Sequence, residues 1–385
     1  MRLAINVEQL LYPSPGGIGR YTSRLVTLLP ELFDDHDEMT QFCARHSSAQ
    51  IAAAAVSAGL PRGWSPVSLP LPRPVLYDGW HLADLPPLAA TSRRLAHLDL
   101  VHAPSLAVPP KGRYRLVVTI HDAASELHPT SFTRRGRRFH RQGLAAASKR
   151  ADLVIVPSHA AADEIVAFST ISTDRIRVVP HGVDAVPISP QEQKTELHAL
   201  GLDDDPYVFW IGSLEPRKDV STLVAAMVAL SRGGRPVPKL VLAGYQGWLS
   251  HDLIDPRHRA ALGGNLVELG VVPEPTLRAL YAGAVLFALP SKHEGFGLPA
   301  LEAMTYGTAV VCSDIPALRE VTAGQALLVP VGDVPAWSEA IGGLLDDPEA
   351  REALAARGQE RASGFSWSGS VAATYRLYQE VVGQR

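Results

Sequence analysis

The chain predicts an α/β fold of two domains built on parallel sheets, and three observations carry that prediction. Its 385 residues exceed one ordinary core at about 100 to 200 residues per domain. Hydrophobic residues make up 46% and charged residues 19%, which supplies apolar surface for real cores and argues against disorder. Short aliphatic runs alternate with helical patterns from end to end, the pattern of parallel sheets flanked by helices.

In the first half the strand-forming runs are Arg2 to Val7, Met39 to Ala44, a weaker one near Val67, Asp99 to Ala103, Leu116 to His121, Leu153 to Pro157 and Ile176 to Pro180. In the second half they are Tyr207 to Gly212, Lys239 to Ala243, Leu266 to Gly270, Val285 to Pro290, Ala309 to Ser313 and Leu327 to Val329. Between the halves, Ala185 to Asp205 is rich in proline and acids, which places the boundary near Pro187 to Pro190. The expected division is therefore residues 1–187, residues 188–364 and a closing helix over 365–385. In that helix Val371, Tyr375, Tyr378 and Val382 recur at three- and four-residue spacing.

Composition excludes several roles. A net charge of −3 is too acidic for a phosphate-tracking surface, so nucleic acid is not an expected partner. The longest stretch without Asp, Glu, Lys or Arg, His46 to Pro61, is shorter than the roughly 18 to 20 apolar residues of a bilayer span. The start MRLAINVEQLL lacks a secretory pattern, which predicts a cytoplasmic protein, and Cys43 and Cys312 read as buried hydrophobes rather than as a disulfide. One local exception is the run Arg134 to Arg150, with seven Lys or Arg and no acid. It reads either as the solvated face of a helix or as peripheral membrane contact with anionic lipid or a charged acceptor. Oligomeric state is not legible.

Chemistry is concentrated at the carboxyl ends of predicted strands. After the first strand, Pro13-Ser14-Pro15-Gly16-Gly17-Ile18-Gly19 opens a helix, where backbone N–H groups meet an anion at the positive end of the helix dipole; a plain turn has the same pattern. Glu215-Pro216-Arg217-Lys218-Asp219 follows the first strand of the second half, and an Arg fork beside a Lys point charge suits a diphosphate, although surface Arg-Lys pairs are common. The segment Pro290 to Met304 is the most informative. A strand ends in Pro-Ser, a turn carries Glu294 with Gly295, Phe296 and Gly297, and a helix from near Leu298 carries Glu302 one turn in. Amides there can hold an anion while two carboxylates accept bonds from hydroxyls on either side. His121, in Thr119-Ile120-His121-Asp122, ends a buried strand and can reach a substrate hydroxyl. Asp35-His36-Asp37 and Asp203-Asp204-Asp205 match a metal-binding pattern but sit in polar turns, and zinc spacings are absent, so no metal site is expected.

Taken together these segments resemble the retaining glycosyltransferases of family 4, with the GT-B fold of two Rossmann-like domains facing a central cleft. The resemblance spans nearly the whole chain: GGIGRY at the amino end, TIHD at 119–122, VVPHGVD at 178–184, GSLEPRKD at 212–219, the Glu294 and Glu302 pair, and GTAVVCSDIPALREV at 307–321. It implies that Arg217 and Lys218 neutralise the donor diphosphate without a metal or other cofactor. It also implies that Glu302 binds ribose hydroxyls and that Glu294 with the Gly295 to Gly297 amides holds the hexose. Gly16 and Gly17 would close over the phosphates, His121 would lie near the sugar, and Gly212 and Leu298 would belong to the donor site. Retention in this family is attributed to front-face attack with a diphosphate oxygen as base, so no protein nucleophile is needed. The closing helix would return to the first domain.

Two positions depart from the family pattern, Asp219 and His181, each where Asn is frequent. The nearest likeness is to GDP-mannose-dependent α-mannosyltransferases acting on glycan or glycolipid acceptors in polysaccharide biosynthesis. UDP- or ADP-glucose users share the same residues, and a sugar-nucleotide-binding protein without activity is a further alternative. Trp64, Tyr77 and Trp80 are candidate acceptor-lining residues, with ordinary packing as the competing reading.

Overall fold

The computed structural model describes residues 1–12, 15–184, 186–202, 205–233, 237–245 and 253–383. Two compact units divide the chain, Met1–Gly182 with Trp367–Arg385, and Val183–Ser366.

The first unit carries β1 (Arg2–Asn6), β2 (Glu38–Cys43), β3 (Val67–Ser68), β4 (Leu100–Ala103), β5 (Arg115–Thr119), β6 (Leu153–Val156) and β7 (Ile176–Val178). They form one parallel sheet in the order β3-β2-β1-β4-β5-β6-β7. The second unit carries β8 (Tyr207–Ile211), β9 (Lys239–Ala243), β10 (Leu266–Gly270), β11 (Leu286–Leu289), β12 (Val310–Ser313) and β13 (Leu327–Val329), again all parallel, in the order β10-β9-β8-β11-β12-β13. In both sheets the order reverses beside the first strand, between β1 and β4 and between β8 and β11. Open parallel sheets bind ligands at that point, outside the carboxyl ends of their strands.

Every strand-forming run in the sequence is a strand, and several stop one or two residues short of the predicted end. His121 and Pro290 leave the ladder there, Pro290 because it has no N–H to give a neighbour. The inner strands of each sheet are buried on both faces. Phe42, Leu76, Trp80, Leu116 and Val154 pack in the first core; Trp210, Val224, Met227, Leu242 and Trp337 pack in the second. Each such side chain contributes about 1.5 to 3 kcal/mol on burial. Cys43 and Cys312 are buried free thiols, and burial pushes Cys43 up to about 12.

The division between units falls at Gly182 and Val183, ahead of the Pro187 to Pro190 run, for a backbone reason. The Val183 N–H donates to the Phe365 carbonyl at 3.3 Å, and Val183 forms a parallel bridge with Ser366. Phe365 accordingly belongs to the second unit, and the last helix starts at Trp367 and runs to Gly383. It packs in the first unit and buries Trp367, Val371, Thr374, Tyr375, Tyr378 and Val381. Val381 takes the place that the spacing gave to Val382. No helix among the described residues is long and apolar enough to cross a membrane.

Candidate active site

The loops that follow β8 and β11 flank the reversal point of the second sheet. They are joined by the Lys292 N–H, which donates to the Arg217 carbonyl at 2.8 Å. Pro216–Lys218 is a single 3-10 turn, closed by the Lys218 N–H on the Glu215 carbonyl at 3.0 Å. Asp219 then takes a left-handed conformation, φ 48°, before the helix Val220–Arg232. Its buried carboxylate accepts from Ser221 Oγ at 3.0 Å and Thr222 Oγ1 at 2.8 Å and pairs with Lys292 at 3.2 Å. The acid at this position therefore anchors the turn that presents Arg217 and Lys218.

Those two cations meet Glu294. Lys218 Nζ lies 2.6 Å from Glu294 Oε1, Arg217 Nη1 lies 3.8 Å from Glu294 Oε2, and Ser291 Oγ donates to Glu294 Oε1 at 2.7 Å. Arg217 is fixed further by Glu215 Oε1 at 2.6 Å and by the His293 carbonyl at 2.7 Å. Burial alone would raise the Glu294 carboxyl; the charges of Lys218 and then Arg217, with the bonds from Lys218 and Ser291, outweigh it and hold the group below its usual range. The Glu294, Arg217 and Lys218 side chains are only 8%, 13% and 12% exposed. Ion pairs this buried add little stability against the cost of desolvating them, so their place at a strand-end crevice points to ligand chemistry.

The same loop enters the helix Leu298–Thr305 through Gly297, whose φ of 103° only glycine adopts without strain, and no side chain caps that helix start. Glu302 stands one turn into the helix and accepts from the Tyr281 hydroxyl at 2.7 Å; the Tyr281 ring stacks on Tyr306 at 5.9 Å. Under the β8 loop, Gly244 sits so close to Gly212 that an added Cβ would lie 2.0 Å from the Gly212 carbonyl oxygen. Arg217, Lys218 and Glu294 thus form one cluster, and Glu302 belongs to a neighbouring hydrogen-bonded set.

In the first unit, Gly16 and Gly17 open the helix Gly16–Leu28 and are exposed, without a side-chain cap; Pro13 and Ser14 lie outside the described residues. His121 follows β5. Its Nε2 is 3.0 Å from the Pro104 carbonyl, which only accepts, so Nε2 carries the proton and Nδ1 accepts from His181 Nε2 at 3.2 Å. Both ring nitrogens of His121, the residue that the resemblance sets near the sugar, bond within the protein. Burial, reinforced at His181 by the neighbouring His121, pushes both imidazoles down, His181 the further.

The chain matches two family models in succession: Glycosyltransferase Family 4 over residues 15–186 and Glycosyl transferases group 1 over residues 192–361. It is 31% identical to the O-antigen chain mannosyltransferase B of Escherichia coli over 98% of this chain and 100% of that one. The chain is a family 4 glycosyltransferase. A second relative of this glycosyltransferase, a D-inositol 3-phosphate glycosyltransferase of Nocardia farcinica, is 31% identical over 57% of this chain and 50% of that one. Among solved structures, sucrose-phosphate synthase from Thermosynechococcus elongatus superposes with a TM-score of 0.76 at 20% identity, covering 100% of both chains. Anabaena HepE in complex with UDP and glucose gives 0.75 at 19%, covering 99% of this chain and 100% of that one. The fold is GT-B.

Other residues singled out in the glycosyltransferase sequence fall elsewhere. Trp80 is fully buried, with Nε1 donating to the Pro86 carbonyl, and Tyr77 packs against it at 5.2 Å; both are core, not acceptor lining. Trp64 is half-buried and donates to Gln41. Asp37 binds the terminal amine at 2.6 Å and the Tyr375 hydroxyl; Asp205 pairs with Lys239 at 2.6 Å, while Asp203 and Asp204 lie outside the described residues. The basic run is the helix Arg134–Arg150. Arg150 turns inward and donates to the Trp80 carbonyl at 2.8 Å, whereas Arg134, Arg135, Arg138, Arg141 and Lys149 are exposed. Three of these pair with Asp78, Glu126 and Asp84.

Three residues that sequence reasoning did not choose for the site bond to those it did. Glu215 and Ser291 orient the charged cluster, and Tyr281 orients Glu302. Glu215 and Ser291 stand within three positions of residues already chosen, which was a usable signal. Tyr281 came from a distant helix and had none.

Proposed function

We propose that this glycosyltransferase moves mannose from GDP-mannose onto a hydroxyl of a glycan or glycolipid, with retention, to form an α-glycosidic bond. The observation that carries the reading is the 2.6 Å contact of Lys218 with Glu294, with Arg217 beside it. A donor would replace that internal pairing: its diphosphate takes the cations and its hexose hydroxyls take the carboxylate, while Glu302 accepts from the ribose. Arg217 and Lys218 then stabilise charge as it develops on the leaving diphosphate, which preorganised donors do without reorganisation at the moment of reaction.

In the proposed step the bond from C1 to the diphosphate oxygen breaks as the acceptor oxygen bonds C1 on the same face, and the acceptor proton passes to a diphosphate oxygen. No protein nucleophile, metal or cofactor takes part. The mannose assignment is supported by the near full-length likeness to a mannosyltransferase that builds O-antigen chains. The exposed arginines Arg134, Arg135 and Arg138 support a peripheral contact of the helix Arg134–Arg150 with an anionic lipid or acceptor.

Thermal stability with excess GDP, UDP and ADP in EDTA tests the donor. A nucleotide at about 100 times its dissociation constant adds about 2.7 kcal/mol to the native state. Selective stabilisation by GDP is expected; preference for UDP or ADP transfers the donor to glucose-type sugars, and no response to any removes the site.

A further inference from the structure

The terminal helix Trp367–Gly383 presents a polar seam inside the first unit. Thr374 and Tyr378, one turn apart, are both fully buried, and so are His102 on β4 and Thr119 at the end of β5. Buried hydroxyls and imidazoles are costly without partners, and Tyr378, His102 and Thr119 are joined with Tyr21 in a line. The Tyr378 hydroxyl is 2.6 Å from His102 Nδ1, His102 Nε2 is 2.8 Å from Thr119 Oγ1, and Thr119 Oγ1 is 3.0 Å from the Tyr21 hydroxyl. Thr374, beside Tyr21, sends its own proton to the Ser370 carbonyl at 2.9 Å.

One direction gives the Tyr378 proton an acceptor. Tyr378 donates to a bare Nδ1, His102 donates from Nε2 to Thr119, Thr119 donates to Tyr21, and the Tyr21 hydroxyl is left beside the Thr374 side chain. Reversed, the Tyr378 proton faces no acceptor among the described residues. Burial keeps His102 neutral, its pKa pushed down to about 3, so the tautomer is the variable that matters.

The line ends on the walls of His121. Thr119 is two residues before it on the same strand end, and the Tyr21 ring meets it edge-on at 5.4 Å and meets His181 at 4.9 Å. Trp367, from the same terminal helix, packs on His181 at 5.7 Å. A leucine or phenylalanine would fill the His102 site at lower desolvation cost, so what the imidazole adds is direction.

We propose that His102 is a positioning residue of the transfer reaction: as the Nε2–H tautomer set by Tyr378, it holds Thr119 and Tyr21, and Tyr21 holds His121 in the orientation that engages His181 and Pro104. The inference rests on the proposed transfer and on His121 belonging to its site. The side chain of residue 378 therefore sets the geometry at residue 121 without touching it.

The test compares Tyr378→Phe, which keeps the ring, with His102→Leu and His102→Gln. Glutamine can accept from Tyr378 and donate to Thr119. Tyr378→Phe and His102→Leu are expected to lower kcat by roughly tenfold or more, as small misplacements do, with KM for the nucleotide sugar within about twofold. His102→Gln is expected to recover most of the loss. Unchanged kcat in Tyr378→Phe overturns the proposal, and so does a loss that glutamine does not restore or that appears equally in the donor KM, because either marks a merely structural role. Nitrogen NMR of histidine-labelled wild-type protein supplies a readout independent of turnover, with His102 expected protonated at Nε2; a proton on Nδ1 overturns the relay. Wild-type protein that transfers no sugar counts against the proposed function, whereas the tautomer still decides the relay.

Discussion

Lys218 Nζ and Glu294 Oε1, 76 positions apart in the chain, lie 2.6 Å apart where the strand order of the second sheet reverses. The two loops that carry them are short extensions of β8 and β11, neighbouring strands, so the pair is built by topology rather than by a long excursion of either loop. In this arrangement Glu294 answers Lys218 and Glu215 answers Arg217, and a ligand with both hydroxyls and phosphates can exchange into each half of the Lys218–Glu294 pair.

Glu294→Ala and Lys218→Ala should each lower kcat by about a hundred- to a thousandfold, the usual loss when one preorganised electrostatic group is removed. Lys218→Ala should also weaken binding of the free nucleoside diphosphate. Glu294→Ala should leave that binding near wild type, because the diphosphate is assigned to the cations. Steady-state kinetics with calorimetric titration of the nucleotide separates the two effects, and wild-type turnover in either variant removes the assigned role.

Acid should destabilise the protein well before its carboxylates titrate. Burial, the first cause in each case, pushes His81, His102, His121, His140 and His181 below their ordinary value of 6.5, to about 4 for His81 and about 3 for His102. Below pH 6.5 the unfolded chain binds more protons at these rings than the native chain does, so stability rises with pH across the window and is lost as pH falls from 6.5 towards the folded values. Each histidine still neutral contributes about 1.4 kcal/mol per pH unit. Glu294, also depressed, adds only below its ordinary 4.5. Calorimetric Tm should therefore fall steadily between pH 6.5 and about 5, and a flat Tm over that interval would contradict neutral burial of these rings.

Much of this was readable from the amino acids. Strands buried on both faces announce themselves as short aliphatic runs, and the reversal point follows once such runs alternate with helices, so Arg217, Lys218 and Glu294 could be placed at strand ends before any coordinates. What stayed hidden depends on backbone pairing or on burial at a distance. The Val183 bridge to Ser366 draws the unit boundary ahead of the prolines, and no composition shift marks it. Trp80 and Tyr77 resemble sugar-stacking aromatics in sequence, yet Arg150 and the Pro86 carbonyl hold Trp80 inside the core and Tyr77 packs against it. The His181 contact with His121 joins residues 60 positions apart, a pairing that residue type alone does not suggest.

Gly244→Ala should damage the site more than Gly297→Ala, although both positions have positive φ, 123° and 103°. At Gly297 the added methyl meets the Leu318 Cδ2 atom at 2.5 Å, the end of a side chain that can turn away, which leaves mainly backbone strain of about 1 to 3 kcal/mol. At Gly244 it meets the Gly212 carbonyl oxygen at 2.0 Å and the Gly212 carbonyl carbon at 2.9 Å, which are backbone and can yield only by shifting the β8 loop. That loop carries Arg217 and Lys218, so the displacement reaches the cations. Gly244→Ala is expected to lower Tm further than Gly297→Ala and to weaken nucleotide binding by roughly tenfold, as a misplacement of this kind does. Paired melting and titration experiments on the two variants check it, and wild-type nucleotide affinity in Gly244→Ala would mean that the cation loop does not lean on Gly212.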